Sequence, residues 1–120
     1  MRRLFATARY ERDAKRLLNA EEQTAMEKAI VNDPQAHPVI PGLAGIRKAR
    51  WARKGSGKSG GVRTIYFHFV SDEEVYMLFM YAKNDQRDLT PDQKKELAKQ
   101  VETIKDAKKK RDKEPQGKKQ

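Results

Sequence analysis

The sequence predicts a small α+β domain with the element order βααβββα, a largely antiparallel sheet with helices packed on it. Three observations carry this prediction. Apolar residues recur at helical spacing near the N-terminus, β-branched and aromatic residues crowd positions 62–82, and a capped amphipathic segment follows position 90. At 120 residues and 37% hydrophobic content, the chain can bury one core but not two. One domain over residues 1–107 is expected, followed by a disordered basic tail over residues 108–120.

Residues 3–7 suit a short first strand, after which Tyr10, Ala14, Leu17 and Leu18 recur at i, i+4, i+7 and i+8, one face of a helix. Asn19 then offers an N-cap with Glu22 three residues on, and Ala25, Met26, Ala29 and Ile30 supply the apolar face of a second helix. That helix should stop near Asn32, because Pro34 lacks a backbone N–H and disfavours helical geometry before it. Pro38, Pro41 and Gly42 continue as a loop. From Gly45 to Ala52 an extended segment is expected, with Lys48 and Arg50 on one side of the strand and Arg47, Ala49 and Trp51 on the other.

Positions 54–61 hold four glycines and two serines in eight residues; this composition reads as a mobile basic loop between strands. The runs 62–70 and 75–82 read as an antiparallel pair joined by Ser71-Asp72-Glu73-Glu74, a solvated turn. Met77, Leu78, Phe79 and Met80 in succession imply burial on both faces, so the last strand should be central in the sheet. Thr90-Pro91-Asp92-Gln93 is a helix start, with Thr90 to cap and Gln93 to close the box, and Leu97, Val101 and Ile104 give a stripe that ends near Ala107.

The chain has no cysteine, which removes disulfide and thiolate-metal chemistry and is compatible with a reducing compartment. Charged residues interrupt the N-terminus before an apolar signal region develops, and no run approaches the roughly 18 apolar residues of a membrane span. A cytoplasmic protein with no membrane association is expected.

The formal charge of +10 is local: residues 46–64 carry +7 with no acidic residue, against +1 for 1–45, −3 for 65–104 and +5 for 105–120. Such a field favours a polyanion, since each neutralised phosphate releases condensed counterions, and nucleic acid is the leading partner class. Neither histidine has metal-ligand spacing to a second donor, so no metal or other cofactor is expected; His68 reads as a structural residue and His37 as a loop residue. The segment GSGKSGG lacks the spacing of a phosphate loop and joins two strands, which argues against an NTPase.

The remaining chemistry is a set of permanent cations on neighbouring strands. Lys48 and Arg50 lie on one, Arg63 starts the next and Lys83 ends the last. Arginine forks can hold two phosphate oxygens as charge develops during RNA cleavage, and a lysine among like charges could take a 2′-hydroxyl proton. The same cations could instead hold a nucleic-acid backbone without catalysis. Charge and spacing leave both open.

The blocks G-L-A-G-I-R-K-A-R, G-K-S-G-G-V-R-T-I-Y and L-F-M-Y-A-K-N-D-Q-R-D-L, followed by the capped helix, resemble the HigB branch of the RelE/ParE toxin superfamily over about residues 1–105. The resemblance implies a RelE-like fold and a ribosome-dependent mRNA endonuclease. Without a metal, the RNA 2′-hydroxyl would attack the adjacent phosphate and leave a 2′,3′-cyclic end. Carried over by position, it implies catalytic roles for Lys48, Arg50, Arg63 and Lys83, with Asn84 where many relatives have a second arginine. Arg47, Arg53, Lys54, Lys58, Tyr81 and Asn84 are the candidate RNA-binding residues, Tyr81 by stacking on a base. Expected partners are the ribosome and mRNA and a cognate antitoxin, of helix-turn-helix type, through which alone operator DNA would be reached. Two other readings share these residues: a gyrase poison like the ParE branch, and a non-catalytic RNA-binding module.

Overall fold

The computed structural model describes residues 2–52 and 61–113. These fall into two compact units, one through Leu89 and one from Thr90 onward. The first holds β1 (Arg3–Ala6), α1 (Ala8–Leu17), α2 (Ala20–Asn32), β2 (Arg47–Trp51), β3 (Val62–Phe69) and β4 (Glu74–Ala82). The second is the helix α3 (Pro91–Lys113). The class is α+β, as the sequence predicts, and no described helix is long and apolar enough to cross a membrane.

The strands form one sheet in the order β1-β4-β3-β2, with β1 parallel to β4 and the other pairs antiparallel. The apolar strand β4 is therefore internal, as its composition requires. Both helix starts in the first unit are capped. The Asn19 side chain and Glu22 form a reciprocal capping box, and Thr7 accepts from the Tyr10 N–H at 3.0 Å.

One core face of the sheet meets α1 and α2: Tyr10, Ala14 and Leu17 from α1 and Met26 and Ile30 from α2 pack with Ala49, Val62, Tyr66, Val75, Met77, Met80 and Ala82. Ala25 and Ala29, expected on the apolar face of α2, are exposed. Both buried phenols of this core are satisfied: the Tyr10 hydroxyl donates to Glu27 at 2.7 Å and the Tyr66 hydroxyl to the Pro34 carbonyl at 2.7 Å. Burial raises the pKa of both phenols, that of Tyr66 to about 12.

The register of β3 and β4 shifts between Ile65, opposite Phe79, and Tyr66, opposite Met77. Leu78 is the extra residue of a β-bulge. Thr7 donates its hydroxyl to the Leu78 carbonyl at 2.9 Å, so one side chain caps α1 and satisfies the bulge. The bulge breaks the alternation of β4. Val75, Met77, Met80 and Ala82 face the helices, whereas Tyr76, Phe79 and Tyr81 take the opposite face.

Two expectations change. The turn between β3 and β4 is a short 3-10 segment (Val70–Asp72) followed by Glu73 in the left-handed region, and Glu74 already belongs to β4. Glu74 is 1% exposed, pairs with Arg3 and accepts from the Tyr76 hydroxyl at 2.6 Å, so it is an internal latch between β1 and β4 and not a solvated turn carboxylate. The last helix continues past Ala107 to Lys113, into the stretch expected as tail. Ala, Lys and Arg propagate a helix already nucleated and capped at Thr90, without needing an apolar stripe. Residues 114–120, and the basic loop at 54–61 save for Gly61, lie outside the described residues.

His68 lies on the helix-facing side of β3, 9% exposed, with neither ring nitrogen hydrogen-bonded among the described residues. Its pKa is lowered below the ordinary 6.5, first by burial and then by the cations of Arg2 and Arg47, against the opposing charge of Glu73. The unfolded chain then binds the proton more readily, so the neutral ring supports stability above about pH 6.5, and that support is lost as pH falls. The melting temperature should drop between pH 7 and pH 5, and His68→Phe should flatten that drop. An equal drop in the variant would assign the acid sensitivity to other groups.

Gly61 has φ +102°, and a Cβ there would lie 2.7 Å from the Trp51 carbonyl oxygen. Its own carbonyl accepts the Lys83 N–H at 3.1 Å, so the ends of β2 and β4 meet at the start of β3 on this residue. Gly61→Ala should lower the unfolding free energy by about 1–3 kcal/mol through the left-handed backbone and the clash together. Urea unfolding checks it, and an unchanged midpoint would refute the constraint.

Candidate functional site

Alternation along β2 puts Ala49 and Trp51 on the helix side and Lys48 and Arg50 on the other. On that second face Arg50 is directly opposite Arg63 of β3, and Arg63 is directly opposite Tyr81 of β4. The three residues form one row across three strands. Lys48, opposite Ile65, stands one step along the same face, about 7 Å from Arg50 by strand rise.

Two arginines directly opposite on one sheet face repel each other, and such pairs lower sheet stability. Neither has an ion pair with a carboxylate among the described residues; the described hydrogen bond of Arg63 is a long one, 3.4 Å, to its neighbour's Val62 carbonyl. Arg50 is exposed and Arg63 half-buried. This row is an electropositive strip on the sheet face.

Lys48 is held differently. Its ammonium lies 3.5 Å from the Asp88 carboxylate, in the segment after β4, and Asp88 also accepts the Leu89 N–H at 2.8 Å. The pair ties β2 to the segment that follows β4. Asp88 escapes sequence reasoning because it sits in an irregular segment, N-D-Q-R-D-L, where neither periodicity nor spacing marks it.

Tyr81 is 3% exposed, and its ring leans on Phe79 at 5.9 Å between centroids. A ring so covered has no free face for a base, which bears on the stacking role expected for it. What it contributes is a phenol oxygen, buried and without a hydrogen-bond partner among the described residues. Burial raises the pKa of that phenol first, the Asp88 carboxylate adds to the rise, and Arg63 and Arg50 oppose it. The charges of the row and of Asp88 thus all reach this oxygen.

The other expected residues do not join the row. Arg47 is on the helix side, where its guanidinium donates to the carbonyls of His37 at 2.6 Å and Gln35 at 3.3 Å, tying β2 to the preceding loop. β4 ends at Ala82, so Lys83 enters the following turn; its backbone N–H is fixed on Gly61, and no described contact brings its amine to the row. Asn84 is exposed in the same turn. Arg53, Lys54 and Lys58 lie outside the described residues. No group of three or more His, Asp or Glu residues suited to hold a metal ion occurs among the described residues.

Chemically, one sheet face carries two guanidinium forks, one ammonium and one neutral hydroxyl. It can bind a tetrahedral oxyanion and stabilise added negative charge on it.

Solved structures share this fold. One chain of the intact E. coli RelBE toxin–antitoxin complex matches with a TM-score of 0.51 at 15% identity, over 67% of this chain and 94% of that one. A variant of the E. coli toxin RelE with two arginines replaced by alanine, in the free state, matches with a TM-score of 0.53 at 14% identity, over 72% of this chain and 87% of that one. In sequence, residues 2–116 match the family model described as the RelE toxin of the RelE/RelB toxin–antitoxin system, and the chain belongs to that family.

Proposed function

We propose that this chain is a HigB-branch RelE toxin, an endoribonuclease that cuts mRNA in the ribosomal A site and is neutralised by a cognate antitoxin. The observation that carries the cleavage reading is the Arg50–Arg63 pair, two forks directly opposed on one sheet face, without an ion pair among the described residues, and with Lys48 beside them. Family membership supplies the toxin–antitoxin setting. The RelBE complex, which shares the fold, is an example of a RelE toxin with its antitoxin.

The 2′-oxygen forms a bond to the adjacent phosphorus as its proton passes to solvent water, the bond to the 5′-oxygen breaks, and that oxygen takes up a proton from solvent. The products are a 2′,3′-cyclic phosphate and a 5′-hydroxyl. In the transition state the phosphoryl oxygens carry extra negative charge, and Arg50 and Arg63 are placed to bind it more strongly than the ground state. Lys48, released from Asp88 as the anion arrives, adds a third positive charge. An antitoxin segment bearing carboxylates would meet the same cations and cover this face.

Arg63→Ala should reduce the maximal rate of mRNA cleavage on programmed ribosomes about 10²–10³-fold, the effect of removing one oxyanion donor, and should relieve growth arrest on induction. Mapping mRNA ends in a translation reaction checks it. Cleavage at the wild-type rate by this variant, or DNA damage in place of translation arrest in wild-type cells, would overturn the reading.

A further inference from the structure

We propose that the Tyr81 hydroxyl is a substrate contact of this site, donating a hydrogen bond to a non-bridging oxygen of the phosphodiester that Arg50 and Arg63 hold. The inference rests on the reading of this face as the RNA-cleaving site and names one more group in it.

Three observations lead here. The first is register. Tyr81 is opposite Arg63 and Arg63 is opposite Arg50, so the phenol continues the row of forks by one strand. It does so only because of the bulge at Leu78: unbroken alternation from Val75 would turn Tyr81 toward the helices. The second is burial without a partner. The Tyr81 oxygen is buried and lacks a hydrogen-bond partner among the described residues, whereas the buried hydroxyls of Tyr10 and Tyr66 each have one. A ring needed only for packing would serve as well without the oxygen, as Phe79 beside it does.

The third is charge. Burial and Asp88 keep the phenol protonated against the pull of Arg50 and Arg63, so at neutral pH it is a donor and not a phenolate base. A donor beside Arg63, with Arg50 one strand further on, calls for an acceptor that is itself an anion. A phosphate non-bridging oxygen qualifies, having lone pairs to spare after a bidentate contact with arginine. An anion held there would also compete with Asp88 for Lys48, one step along the same face.

The test compares wild type, Tyr81→Phe and Arg63→Ala in three measurements: thermal melting, single-turnover mRNA cleavage on programmed ribosomes, and binding of inorganic phosphate followed by NMR. Tyr81→Phe should melt at or above the wild-type temperature, because the hydroxyl it removes has no partner to lose. It should lower the maximal cleavage rate about 10–100-fold, as expected for a lost hydrogen bond to a charged group, with little change in the toxin concentration giving half-maximal rate. It should also weaken phosphate binding several-fold.

Wild-type values for Tyr81→Phe in both cleavage and phosphate binding would overturn the inference while leaving the endonuclease reading intact, provided Arg63→Ala is impaired. A variant that melts lower and loses activity in proportion would assign Tyr81 to the core and also overturn it. If wild type leaves mRNA uncut, the endonuclease reading falls, and weaker phosphate binding by Tyr81→Phe would still place the hydroxyl at an anion.

Discussion

One extra residue in β4 decides which side chains share a face with the arginines. Because Leu78 is unpaired in the β3–β4 ladder, Met77 and Met80 both turn toward α1 and α2, and Phe79 and Tyr81 take the other face, opposite Ile65 and Arg63. A bulge leaves a carbonyl without its ladder partner, and here Thr7 supplies the donor while also capping α1. The helix start, the bulge and the cation face are thus linked through one threonine. The core depends on the same shift, since both methionines fill it.

On this frame the fold sets charges where they oppose stability. Arg50 and Arg63 face one another across two strands, without an ion pair among the described residues, whereas Arg3 lies beside Glu74 and Arg16 beside Asp13. Gly61 makes the pairing possible by letting the ends of β2, β3 and β4 converge, at a backbone angle that disfavours any side chain. Proteins commonly break a local rule where they bind or react, and offset the cost elsewhere in the fold. The offset here is the apolar core on the other face of the same strands.

The legible parts of the sequence are those written in periodicity and caps. The helix bounds follow from Asn19, Glu22 and Pro34, the central place of β4 from its apolar run, and the common face of Lys48 and Arg50 from simple alternation. What alternation cannot carry is a bulge, so Tyr81 reads from the sequence as a stacking aromatic and not as a buried hydroxyl beside Arg63. Arg47 looked equal to its neighbours because charge count ignores which carbonyls lie nearby, and those of Gln35 and His37 are in a loop with no regular pattern. Asp88 was hidden in an irregular segment, and Glu74 among turn acids, although it pairs with a residue 71 positions away. The helical stretch past Ala107 has no apolar stripe to announce it.

On the proposed function, this cation face stabilises attack by an RNA's own 2′-hydroxyl on the neighbouring phosphate. The chemistry of the new mRNA ends after brief exposure of translating ribosomes to the wild-type protein, read by end-specific ligation and mass spectrometry, tests it. Upstream fragments should end in a 2′,3′-cyclic phosphate and downstream fragments should begin with a 5′-hydroxyl. Fragments with a 3′-hydroxyl and a 5′-phosphate, the products of water attacking the phosphate, would contradict it.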